Sequence, residues 1–289
     1  MNEHARVAAG QRRPAAHAMD ERLLRWSGRL FRLVALAGMA VFGSYILLRA
    51  SGATFRNFAQ WRPLLEGQPM PALSDWVANI GIGMHFAMGA ILLFAWPILF
   101  SATIRARHRA VHRWTGRVYV SAGFLAGCGG LSFIFAHGAY EPAASVAFGI
   151  WGGVMMLSAV MAYVHARGRR FDLHRAWVIR LFAMVLGSWL FDIEFRAWKD
   201  LTGGAGIGPG EASGFFDYAL LYLFFVPNLL VAEFFIRNKH RRIVLPPAWR
   251  WPALAGLAAV AAVFVYAVVV VSATGTGKYG RHLLQLVTG

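Results

Sequence analysis

Seven stretches of the chain are apolar for about twenty residues or more, with polar clusters between them. They run over about 29–49, 77–103, 115–136, 143–165, 176–198, 214–236 and 251–273. A helix rising 1.5 Å per residue needs about 20 apolar residues to cross about 30 Å of hydrocarbon. The runs are continuous, not alternating, which fits membrane helices rather than the strands of a barrel. The pattern predicts an all-α, polytopic transmembrane bundle of about seven spans over 29–273. A polar tail over 1–28 precedes it and a second tail over 274–289 follows. The first tail is too long for a secretory signal peptide and has no suitable cleavage site.

Charge gives this pattern a direction. The chain carries 29 Lys and Arg against 13 Asp and Glu, a net charge of +16, and 58% of its residues are hydrophobic. Soluble domains are about 45–50% apolar. The basic residues fall in the N-terminal tail and in the loops 104–117, 166–175 and 237–250, while the alternate loops are nearly neutral. The positive-inside rule puts the basic set in the cytoplasm, with the N-terminus inside and the C-terminus outside. Basic clusters between apolar runs point to a lipid bilayer as the partner, not nucleic acid. The lone cysteine, Cys128, excludes a disulfide or a Cys-based metal site within one chain.

The second and third spans resemble the fourth and fifth. A shift of 62 residues lays RARHRAVHR (105–113) on RGRRFDLHR (167–175), so that His112 falls on His174 and Arg113 on Arg175. A hairpin repeated in parallel and two unrelated basic loops both account for this.

Ionisable residues inside spans are costly and are candidates for function. His85 stands 19 residues before Ile104, and His137 stands 20 residues after Arg117. At 1.5 Å per residue both lie about 28–30 Å above the inner boundary. His112, His165 and His174 lie at that boundary. Two layers of histidine suit haem b bound by two His from different helices, moving single electrons. The pairs would be His85 with His137 outside, and His112 with His165 or His174 inside. Interfacial anchoring accounts for the same residues without a cofactor.

Other polar residues suggest a network. Arg117 and Arg180 lie a turn or more inside their spans, and Glu233 is a partner for either. Asn228, after Pro227, is placed to bridge helices. Asp192 and Glu194, two apart, face different sides of a helix and suit an ion pair or a wet rim with Arg196. Gly81, Gly83 and Gly89 around His85 suit close packing or room for a flat ligand.

HFAMG (85–89), HRWTGRVYV (112–120), HRAWVIR (174–180) and VPNLLVAE (226–233) together resemble a bacterial predicted-membrane-protein family, domain of unknown function 2306. The resemblance covers about 80–236, with Val178 where Met is usual. It implies a multi-pass protein of the bacterial inner membrane. It marks His85, His112, Arg113, Arg117, Tyr119, His174, Arg175, Arg180, Asn228 and Glu233 as family positions. His137 and His165 match none of its motifs.

Three functions fit these residues. One is a haem-binding carrier that takes electrons from a cytoplasmic donor or quinol to an outer acceptor. The second is a transporter of a small anion or lipid, with Arg113, Arg117, Arg175 and Arg180 as its mouth. The third is a non-catalytic subunit whose polar motifs lock helices inside a larger membrane complex.

Overall fold

A computed structural model of the chain describes residues 33–44, 75–137, 141–209 and 213–238, with scattered positions between 26 and 47 and between 251 and 269. Both tails apart from Trp26, and about half of the seventh predicted span, lie outside the described residues. Within them the protein is all helix. α1 is a short apolar helix over Leu33–Ser44. α2 covers Trp76–Phe100, α3 Ala102–Arg107, α4 Arg109–His137, α5 Pro142–Arg167 and α6 Phe171–Thr202. α7 (Phe215–Leu223) and α8 (Val226–Arg237) follow. Five helices, counting α7 and α8 as one, are long and apolar enough to cross a membrane.

The ends of these helices have local causes. Asp75 caps α2, its carboxylate accepting from the Ala78 amide at 3.0 Å. Ser101 ends α2 and caps α3, accepting from the Ile104 amide at 3.3 Å. Pro142 sits in the first turn of α5, where its missing N–H costs nothing. Gly203 closes α6 in the left-handed region, at φ 67°. Beyond it, Asp217 at the start of α7 accepts from the Gly208 and Gly214 amides, each at 2.9 Å. Trp198 stacks on Phe216 at 4.5 Å. Residues 203–208 and 213–214, in a glycine-rich stretch of sequence, are therefore drawn onto the end of the bundle opposite the basic loops.

The sixth predicted span breaks at Phe224 and Phe225. Pro227 has no N–H to return to the preceding turn. Asn228 donates instead to the Phe224 carbonyl at 2.7 Å. Phe224 is the C-cap of α7, so this bond ties the start of α8 to the end of α7. Asn228→Leu is expected to lower stability by about 1 kcal/mol, read as the thermal midpoint in detergent.

Small residues let the helices approach, as in membrane bundles, while large side chains such as Trp189, Phe133 and Phe224 fill the core and other large apolar ones face outward. α2 lies along α4, α4 along α5, α5 along α6, and α6 along α8. Ala78, Ala90, Ala122, Ala126, Ala147 and Ala162 are buried between helices, while Ile80, Phe94, Val118, Phe124 and Phe135 point outward. The closest approach is at α2 and α4. A Cβ built on Gly129 would lie 2.4 Å from the Gly81 carbonyl oxygen and 2.8 Å from the His85 amide nitrogen. Gly81 is thus a packing glycine. Gly89, with nothing within 4 Å of its built Cβ, is not.

Candidate functional site: a polar layer at the basic end of the bundle

His85 sits at the glycine crossing. Its Nδ1 is 2.9 Å from the Ala126 carbonyl. A Cβ on Gly130 would come within 3.0 Å of that same nitrogen. The ring meets Trp151 edge-on at 5.9 Å, and Trp151 Nε1 donates to the Met184 carbonyl at 3.0 Å. One imidazole and one indole so connect α2, α4, α5 and α6. His137 ends α4, and its side chain lies outside the described residues. The side chain of Asp192 does also.

At the basic end, His112 and His174 occupy the same place in their helices. Each is the fourth residue, and each amide bonds the carbonyl of the residue four back, His108 at 3.1 Å and Arg170 at 2.9 Å. Their rings differ. His174 Nδ1 is 2.8 Å from the Ala162 carbonyl of α5. His112 Nδ1 is buried with no hydrogen-bond partner. The two imidazoles are within electrostatic reach of each other, and Arg105 is within reach of His112. Gly123 of α4 faces Leu181 of α6. His112 is eleven residues before the first and His174 seven before the second. His112 is therefore about one turn, ~6 Å, nearer the basic end.

Further orphaned atoms lie in this half of the bundle. Tyr119 and Ser158 are fully buried and His165 nearly so. Tyr119 Oη, Ser158 Oγ, His165 Nδ1 and Trp96 Nε1 have no partner in the chain. Tyr119 stands seven residues after His112, two turns along one face of α4. Gly116 faces Leu99 across the α2–α4 contact, which puts Trp96 within about a turn of Tyr119. Trp96 packs on Phe182 of α6 at 5.3 Å. Buried polar groups are nearly always paired, by protein or by ordered water, so a group of them without protein partners singles out this part of the bundle. Sequence reasoning passed over Trp96 and Ser158; one tryptophan among eleven and a serine in an apolar run carry no local signal.

The arginines divide. Arg180 donates from Nε to Glu233 Oε1, and Arg237 lies 3.6 Å from the other carboxylate oxygen. The Arg180 guanidinium also lies 4.4 Å from the Trp177 ring. Arg117 lies 4.6 Å from the Trp114 ring. Arg113 and Arg175 are exposed. Among the described residues no group of three or more His, Cys, Asp or Glu side chains could enclose a metal ion. A haem needs only two axial side chains, so it is a separate question.

Long apolar helices, an alanine and glycine interior and an apolar exterior define a multi-pass α-helical membrane protein. Residues 82–236, more than half of the chain, match the family described as "Predicted membrane protein (DUF2306)". The chain belongs to that family. Curated proteins and solved structures give no match.

Proposed function

We propose that the protein is a multi-pass protein of the bacterial inner membrane that binds one haem b in the polar layer, with His112 and His174 as its axial ligands. The observation that carries this reading is the His112–His174 pair. The two imidazoles come from different helices, lie within electrostatic reach, and each keeps a ring nitrogen without a partner. The carbonyl on His174 Nδ1 fixes that ring and leaves Nε2 for a ligand, the arrangement that orients metal-bound histidines. Trp96, Phe100 and Phe182 form an aromatic wall on the neighbouring helices. Arg105, Arg113 and Arg175 supply positive charge at the basic end, suited to propionates.

Bound there, the haem supplies one-electron chemistry. The chain's own residues hold and surround it. His112 and His174 would hold the haem iron from two helices, and ligation by two histidines would favour electron transfer over substrate binding. Tyr119 and Trp96 offer an O–H and an N–H inside the layer. The basic loops set this end in the cytoplasm, where a donor or membrane quinol would meet it. His85 has a packing role in this reading, so the proposal is confined to the inner layer.

The test is haem content. Protein expressed with ample haem and purified in detergent is expected to hold about one haem per chain. His112→Ala and His174→Ala should each lose most of it. His85→Gln should keep it, as far as it folds. Equal haem content in all four proteins would refute the assignment.

A second reading is favoured by a specific observation. His85, His174, Arg180, Glu233 and Asn228 all make bonds within the chain, as expected of a non-catalytic subunit whose motifs lock helices. A colourless protein that copurifies with a partner would support it. The anion-transport reading loses Arg180, whose charge Glu233 already meets.

A further inference from the structure

Arg117 and Arg180 are counterparts. Each lies a few residues into a helix that opens with His-Arg, and each covers a tryptophan three residues before it. Their charges are treated differently. Glu233 neutralises Arg180 from α8. Arg117 has, among the described residues, the Trp114 ring as its only recorded contact. An exposed arginine near a helix end extends its guanidinium to the headgroup level, where lipid phosphates are the anions at hand.

The space beside Arg117 shows what kind of anion fits. An open cavity of about 280 Å³ runs along the outer surface between α2 and α4. Arg117, Trp114 and Ser121 line its polar part, and Met88, Ile91 and Leu125 line the rest, which is apolar. The cavity is at the low end for a small-molecule pocket and is open on one side. It has the form of a furrow for part of a chain lying against the protein, with a positive charge at one end.

We propose that this furrow is a binding site for an anionic phospholipid of the cytoplasmic leaflet. Its phosphate meets Arg117 and Ser121, and one acyl chain lies along Met88, Ile91 and Leu125. The charge argument decides the occupant. A zwitterionic lipid carries a cation beside its phosphate and so attracts Arg117 less than an anionic one, and a quinone brings no charge at all. Arg117 thus receives from the membrane the counter-charge that Arg180 receives from Glu233. The site is separate from the haem proposal, because Arg117 and Ser121 face outward while His112 Nδ1 and Tyr119 are buried.

The experiment uses the full chain in vesicles with spin-labelled phosphatidylglycerol and phosphatidylcholine, measuring the motionally restricted fraction of each. An arginine near an anionic surface contributes enough for about a fivefold preference for the anionic lipid. Arg117→Gln should reduce that preference to the wild-type value for uncharged lipid. Arg167→Gln, an exposed arginine at the same end of the bundle but away from the furrow, should leave it unchanged. Ser121→Phe fills the furrow without changing the charge and should also reduce it. Size-exclusion profiles establish that each variant is folded. An undiminished preference in Arg117→Gln and Ser121→Phe would overturn the proposal. So would displacement of the restricted lipid by an uncharged quinone at equal concentration.

Discussion

Glu233→Ala is expected to destabilise the bundle by roughly 2–4 kcal/mol. Removing one partner of a buried ion pair costs about 3–5 kcal/mol, because the other charge stays behind uncompensated. The range is lowered here because the Arg180 and Glu233 side chains keep 21% and 25% of their exposure. The carboxylate serves two cations, since Arg237 also approaches it, so its loss leaves two positive charges on α6 and α8. The double variant Arg180→Leu/Glu233→Ala removes the main charge along with its partner. It is expected to be more stable than Glu233→Ala alone, a non-additivity that a double-mutant cycle measures directly. Thermal unfolding in detergent, followed by loss of helical signal, reads all of these. Equal destabilisation by the single and double variants would show that the pair does not hold α6 to α8.

Gly129→Leu is expected to have a larger effect and to separate α2 from α4. The smallest side chain at this position would already meet two backbone atoms, the Gly81 oxygen at 2.4 Å and the His85 nitrogen at 2.8 Å. Backbone cannot swing aside as a flexible side chain can, so the two helices must move apart. Overpacking costs about 1–3 kcal/mol per site and more where the contact is rigid. Displacing α2 also breaks the His85 bond to Ala126 and loosens Trp151. Gly89→Ala is the control. Its built Cβ meets nothing, and alanine gains about 1 kcal/mol over glycine in a helix interior. It should leave the midpoint unchanged or raise it. If Gly129→Leu unfolds at the wild-type temperature, the crossing is not as close as described.

These two sites show what the sequence discloses and what it hides. The apolar runs from 77 to 236 were enough to locate the five long helices, because membrane helices are read from composition over twenty residues. The break at Phe224–Phe225 was only half legible. Pro227 announces a weakened turn, but nothing local says that the Asn228 side chain turns back to the Phe224 carbonyl. Glu233 stood out as a partner for the inner arginines, yet sequence alone did not choose between Arg117 and Arg180. The choice rests on α8 packing against α6. His112 and His174 were matched by their motifs, and the structure keeps that match in helix position. It separates them by a turn in depth and gives only one of them a carbonyl, because depth and partner come from the packing of α5 and α6. Trp96, Tyr119, Ser158 and His165 become a layer only when α2, α4 and α5 are laid side by side.

The ties at His85, Trp151, Arg180 and Asn228 account for how the bundle is held. The unpaired atoms at His112, Tyr119, His165 and Trp96 are what the ties leave over, and they are the reason to assign a cofactor to the basic end. The absorption spectrum of the purified full chain, recorded oxidised and then reduced with dithionite, tests that assignment most directly. A Soret band that sharpens on reduction, with a narrow α-band that His112→Ala abolishes, is the predicted result. A colourless wild-type protein after expression with ample haem would contradict it.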